Sequence, residues 1–162
     1  MPYDVTIEPD DALPAAELAA VDVDRLAASA GALLAAEAVP AGAAVTVLLA
    51  TDDRLRELNR DHRGLDEPTD VLSFPAEEGD AFPAPPGEPR YLGDIAVSLA
   101  AIARQARAAG LDPALELAHV VVHGLLHLLG HDHETPEDDA AMRAREEALL
   151  GAAIHAGRTH DD

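Results

Sequence analysis

His123, His127 and His133 stand in a His-x3-His-x5-His spacing within the run His-Gly-Leu-Leu-His-Leu-Leu-Gly-His-Asp-His. On an α-helix, residues four apart lie one turn apart and are offset by only about 40°. The Nε2 atoms of His123 and His127 can therefore reach a single divalent ion from one face. Gly130 follows the second histidine and can adopt the left-handed conformation that ends a helix. The chain would then turn back and deliver His133 to the same ion from outside the helix. Three protein ligands leave one coordination position open, which is the arrangement of catalytic rather than structural zinc sites. Any one histidine alone reads as an ordinary surface or core residue. Four in eleven residues, set among leucine and glycine, are short of other polar partners. Burying them unpartnered is costly, and a shared metal satisfies them.

The spacing resembles the metzincin pattern His-Glu-x-x-His-x-x-Gly-x-x-His, but Gly124 stands where that pattern has glutamate. That glutamate is the general base of the protease, so its absence counts against peptide hydrolysis. A cage of three neutral imidazoles leaves Zn2+ its full charge, enough to acidify water towards a pKa of ~7 or to polarise a phosphoryl oxygen. Neither Thr69 nor Ser73 has an evident base partner, which gives a serine-nucleophile reading little support.

With 162 residues the chain fits one domain that can bury a real core. Cysteine is absent, so histidine and carboxylate must do any metal work. No apolar run approaches the ~20 residues of a membrane span. The start, Met-Pro-Tyr-Asp-Val, lacks the basic and apolar regions of a signal peptide. A soluble cytoplasmic protein is expected, with no membrane partner. The net charge of −20 favours solubility and repels anionic partners at long range. All eleven basic residues are arginine, and aromatic platforms for base stacking are scarce. If nucleic acid is the substrate, a few arginines and the metal must supply the local attraction.

Residues 114–129 form the helix that carries His123 and His127, started by Asp112 and Pro113 and stopped by Gly130. Residues 3–7, 45–50, 71–74 and 93–97 read as strands, the first an edge strand. The Ala- and Leu-rich stretch 11–36 has Leu18, Val21, Leu26, Leu33 and Leu34 placed for a helical apolar face. Thr51 or Asp52 caps a helix to about residue 62, and Ser98 caps another to residue 109. Thr135, Pro136 and Glu137 begin a last helix reaching about residue 153. Residues 77–89 form a Pro-rich surface loop. The expected organisation is one domain over residues 1–155, a metal-dependent hydrolase, followed by an acidic, disordered tail at 156–162.

Two further segments accompany the histidine block in order: Leu58-Asn59-Arg60-Asp61-His62-Arg63 with Pro68-Thr69-Asp70-Val71-Leu72-Ser73-Phe74-Pro75, and Leu92-Gly93-Asp94-Ile95. Together they resemble the YbeY family of bacterial rRNA maturation factors over residues 45–135. The resemblance implies a single compact α/β (α+β) domain, with a small, mostly four-stranded mixed sheet packed by helices around a central metal-binding helix. It implies a zinc-dependent, single-strand-specific endoribonuclease that acts in 3′-end maturation of small-subunit rRNA and in ribosome quality control. By the same resemblance, His123, His127 and His133 are the catalytic zinc ligands, with one Zn2+ per chain. Arg63 is the family's functional arginine, suited by its planar fork to a substrate phosphate. The implied partners are single-stranded RNA such as an rRNA precursor, the small ribosomal subunit and its proteins, and an assembly GTPase. His131 stands where many members have tyrosine, which leaves the surroundings of the metal open.

Several alternatives stand beside this reading. Arg63 can instead be a surface arginine paired with Asp61 or Asp66. Arg54, Arg56, Arg60 and Arg63 can form a basic lip, or a mixed-charge helix, since 52–70 also holds seven acids. His119 and His131 extend the four-residue spacing and are assigned to packing or to hydrogen bonds around the metal site. Asp94 and Glu116 are candidates for orienting a ligand imidazole. The competing functions are a zincin-like peptidase and a non-catalytic, zinc-stabilised ribosome assembly factor.

Overall fold

Alternation of burial along the strands gives the sheet two apolar faces of unequal size. The computed structural model describes residues 2–76 and 90–155. In β2 (Ala44–Ala50), Val45, Val47 and Leu49 enter the larger core, while Leu48 and Ala50 meet the smaller one. β1 (Asp4–Pro9) and β4 (Tyr91–Ser98) flank β2 and run parallel to it. β3 (Val71–Pro75) pairs antiparallel with β4 and closes the order β1-β2-β4-β3. This is the mixed four-stranded sheet that the resemblance implied, with β1 on one edge and β3 on the other.

Helices are set by local capping chemistry. The stretch 11–36 divides into α1 (Ala15–Ala19) and α2 (Val23–Ala36), because the Asp22 side chain accepts from the Arg25 amide and starts a new helix. Thr51 caps α3 (Asp52–Arg63) and Ser98 caps α4 (Leu99–Ala109), each accepting from an amide three residues on. Asp112 caps α5 (Pro113–Leu128), and Thr135 caps α6 (Pro136–Leu150). α6 ends before the expected residue 153: Gly151, at φ +97°, breaks it and a short 3-10 turn, Ala152–His155, follows. Both the 77–89 loop and the 156–162 tail lie outside the described residues.

α3 covers the smaller face through Leu55 and Leu58, packed with Leu72, Phe74 and Ala96. On the larger face, α2, α4, α5 and α6 share one core that includes Leu33, Ile102, Val121, Leu125 and Met142. α5 is buried on nearly all sides, as a central helix must be, and only a strip containing His119, His123 and His127 is partly open. Gly93, at φ +140°, lets β3 approach β4, since a Cβ there would collide with the carbonyl oxygen of Phe74.

Candidate metal centre and its cleft

The end of α5 builds the site. The Gly130 amide donates to the His127 carbonyl (3.0 Å) and the His131 amide to the Leu126 carbonyl (2.9 Å). With Gly130 at φ +98°, this is a Schellman turn. It reverses the chain within three residues and brings His133 back beside the helix. The Nε2 atoms of His123 and His127 stand 3.1 Å apart, and the His133 ring centroid lies 5.7 and 5.2 Å from theirs. One donor atom from each ring falls within 4.8 Å of the others. Two nitrogens at ~2.0–2.1 Å from a tetrahedral Zn2+ are roughly 3.3 Å apart, so the pair already has the spacing of two ligands in one shell. The donor set and its convergence fit a divalent metal.

The electrostatics agree. Burial lowers the pKa of His127, and the neighbouring His123 and His133 lower it further against a backbone hydrogen bond at His131. The neutral imidazole that a metal requires is thereby favoured. Nδ1 of His123 donates to Oε2 of Glu146 (2.9 Å), which leaves Nε2 facing the other two rings. Carboxylate–histidine pairs of this kind fix ring orientation and raise ligand basicity.

Glu146 was not among the expected orienting groups, and the two that were do other work. Glu116 lies nearly two turns before His123 and accepts from Nδ1 of His119 (2.9 Å). Asp94 accepts from the Tyr91 hydroxyl on the sheet. Glu146 also accepts through Oε1 from Nε2 of His119 (2.7 Å), and the ring of His155 lies between two carboxylates, with Nε2 3.0 Å from Oε1 of Glu146 and Nδ1 3.0 Å from Oε1 of Glu147. Burial raises the Glu146 pKa, but the hydrogen bonds from His119 and His123 outweigh it and hold the carboxyl far below the usual range. Burial likewise works against a charged His119, yet Glu116 and Glu146 push its pKa up to about 9. His131 sits apart from the metal rings, hydrogen-bonded to Glu37 (2.9 Å).

A cleft of about 1000 Å3 opens over the imidazoles along the β3 edge, with Arg63, Ser73 and Arg143 also on its walls. A smaller apolar cavity, about 170 Å3, lies at the other end of α5 between α2 and α4 and holds no imidazole. Arg63 is the last residue of α3, where Gly64 (φ +73°) caps the helix and His62 packs on Phe74 (4.9 Å between centroids). Among the described residues Arg63 forms no ion pair. Its expected partners are taken, since Asp61 accepts from Arg60 (3.1 Å) and Asp66 from Arg56 (2.8 Å), while Arg54 pairs with Glu57. The mixed-charge reading therefore holds for three of the four arginines of α3, and Arg63 is the exception. Ser73 donates to the carbonyl of Gly124 (3.2 Å), pinning α5 to β3. A Cβ on Gly124 would meet Ile95 and Ser73 at 3.1 Å, so position 124 faces the sheet and not the cleft. A general base cannot be supplied from there.

Fold and site together define a small α/β protein with a three-histidine candidate metal centre in an open cleft. The family model described as endoribonuclease YbeY matches residues 15–153. An endoribonuclease YbeY of Chloroflexus aggregans is 51% identical over 155 residues, covering 94% of this chain and 97% of the relative. That of Roseiflexus castenholzii is 52% identical over 109 residues, covering 67% of this chain and 69% of the relative. A solution structure from Thermotoga maritima superposes with a TM-score of 0.56 at 28% identity, covering 98% of this chain and 97% of that one. The chain belongs to the YbeY family of endoribonucleases.

Proposed function

We propose that the protein is a zinc-dependent, single-strand-specific endoribonuclease whose substrate is an rRNA precursor, acting in 3′-end maturation of small-subunit rRNA and in ribosome quality control. Residues 1–155 are its one hydrolase domain, and it works in the cytoplasm beside the small subunit. The observation that carries the reading is the convergence of His123, His127 and His133 in a cleft that also presents Arg63, which forms no ion pair among the described residues, in a chain of this family. One Zn2+ on those nitrogens would supply Lewis acidity towards a phosphoryl oxygen or a water molecule.

The remaining work belongs to the chain. Arg63 binds the scissile phosphate through its planar fork and offsets charge as it builds on the phosphoryl oxygens. Glu146 holds the Nδ1 proton of His123 and so fixes which nitrogen faces the cleft. Ser73 and the apolar flank of α5 keep the helix, and its two ring nitrogens, at a set distance from the β3 edge.

The test is to incubate zinc-loaded protein with single-stranded RNA, double-stranded RNA and a peptide pool, with His127→Ala as the control. Cleavage of the single strand alone, lost in the control, supports the reading. Cleavage of none of the three with zinc bound and ribosome association intact points to the assembly-factor alternative, which the −20 charge favours. A 2′,3′-cyclic phosphate product end would identify the RNA's own hydroxyl as the first nucleophile.

A further inference from the structure

Arg143 stands on α6, one turn before Glu146, and lines the same cleft as the three imidazoles and Arg63. Its Nε is buried without a hydrogen-bond partner, and among the described residues it forms no ion pair. Burying a guanidinium N–H without an acceptor is costly, and arginine cannot relieve the cost by losing its proton. Five arginines outside the cleft, Arg54, Arg56, Arg60, Arg104 and Arg145, each face a carboxylate, whereas Arg25 and Arg107 form no ion pair among the described residues. The acids beside Arg143 on α6 are engaged otherwise, Glu146 by three imidazoles and Glu147 by His155. Two uncompensated guanidinium groups are thus left in the cleft, one from α3 and one from α6, with the metal helix between.

We propose that Arg143 is a second phosphate-binding residue, gripping the RNA backbone on the α6 side of the imidazoles while Arg63 grips it on the α3 side. This rests on the endoribonuclease reading and specifies how its substrate is held. An anionic group with several acceptor oxygens is the chemistry that satisfies a fixed, unpartnered guanidinium, and a phosphodiester repeats it along a strand. The two contacts are assigned to two different phosphates of the strand. They also answer the charge problem: a chain of net charge −20 repels RNA at a distance, and short-range fixed cations must hold it.

The experiment is initial-rate kinetics of zinc-loaded protein on a labelled single-stranded RNA 12-mer over a range of salt concentrations, comparing wild type with Arg143→Met and Arg143→Lys. Arg143→Met is expected to raise KM about tenfold, with the loss falling on KM rather than kcat. It should also flatten the slope of log(kcat/KM) against log salt by ~0.7. Arg143→Lys should restore the slope while leaving KM above wild type, since a point charge replaces the fork. For a dinucleotide, with a single phosphate, the effect of Arg143→Met should vanish. Should the Met variant fail to fold, judged by its unfolding midpoint, Arg143→Gln carries the same test. Unchanged KM and salt slope in a protein that does cleave RNA overturns the Arg143 assignment alone. If wild type does not cleave, the endoribonuclease reading falls, and equilibrium binding of the same 12-mer must still show the Arg143-dependent slope or the assignment falls with it.

Discussion

Oε2 of Glu146 accepts a hydrogen bond from Nδ1 of His123 at 2.9 Å, so α6 reaches the candidate metal centre through the imidazole itself. Glu146→Gln keeps the size of the side chain and removes its charge. Metal affinity should fall about 10- to 100-fold, measured by competition with a chromophoric chelator. An affinity equal to wild type would separate Glu146 from the metal.

The His119 network gives the fold a pH dependence. His119 donates to Glu116 and Glu146, and its pKa stands at about 9 against an ordinary 6.5. The folded protein therefore holds a proton that the unfolded chain releases in that window. Stability from this proton is complete below pH 6.5 and is lost as pH rises through about 9. Urea unfolding of metal-free protein should lose roughly 3 kcal/mol across that range, and His119→Gln should flatten the decline. A stability that climbs with pH over the same window would contradict the charge assignment.

Arg63→Ala removes a cation that the described structure pairs with nothing. We predict a fall of about 10²-fold or more in kcat/KM on single-stranded RNA, with bound zinc and unfolding midpoint unchanged. Loss of zinc in this variant would instead make Arg63 a structural residue.

Position 124 sets the distance of the site from protease chemistry. Gly124→Glu would drive a carboxylate against Ile95 and Ser73. Overpacking costs about 1–3 kcal/mol and a buried charge adds to it, so thermal unfolding should drop sharply with no peptidase gained. A folded Gly124→Glu protein that cleaves peptides would refute this placement.

What the sequence disclosed depended on how local the signal was. Helix caps at Thr51, Ser98, Asp112 and Thr135 are set by residues two or three apart, and the His123–His127 pair by one helical turn. Gly130 announces the reversal because few residues other than glycine adopt its positive φ cheaply. Arg143, Glu146 and His155 are not legible as site residues, because only the packing of α6 and the 3-10 turn after it against α5 brings them beside the histidines. A signal existed for Glu146: Met142, Glu146 and Leu150 form one helical stripe with an acid in a core position. It was hidden among Glu137, Asp138, Asp139 and Glu147, which make α6 read as a solvated helix. Asp94 misled because its strand turns it towards Tyr91 on the sheet.

X-ray absorption at the zinc edge of protein purified with zinc addresses the three-imidazole centre most directly. One zinc per chain is predicted, with three imidazole nitrogens and an oxygen that does not come from the protein in its shell. No retained zinc, or a shell closed by a fourth protein side chain, would contradict an open catalytic centre on His123, His127 and His133.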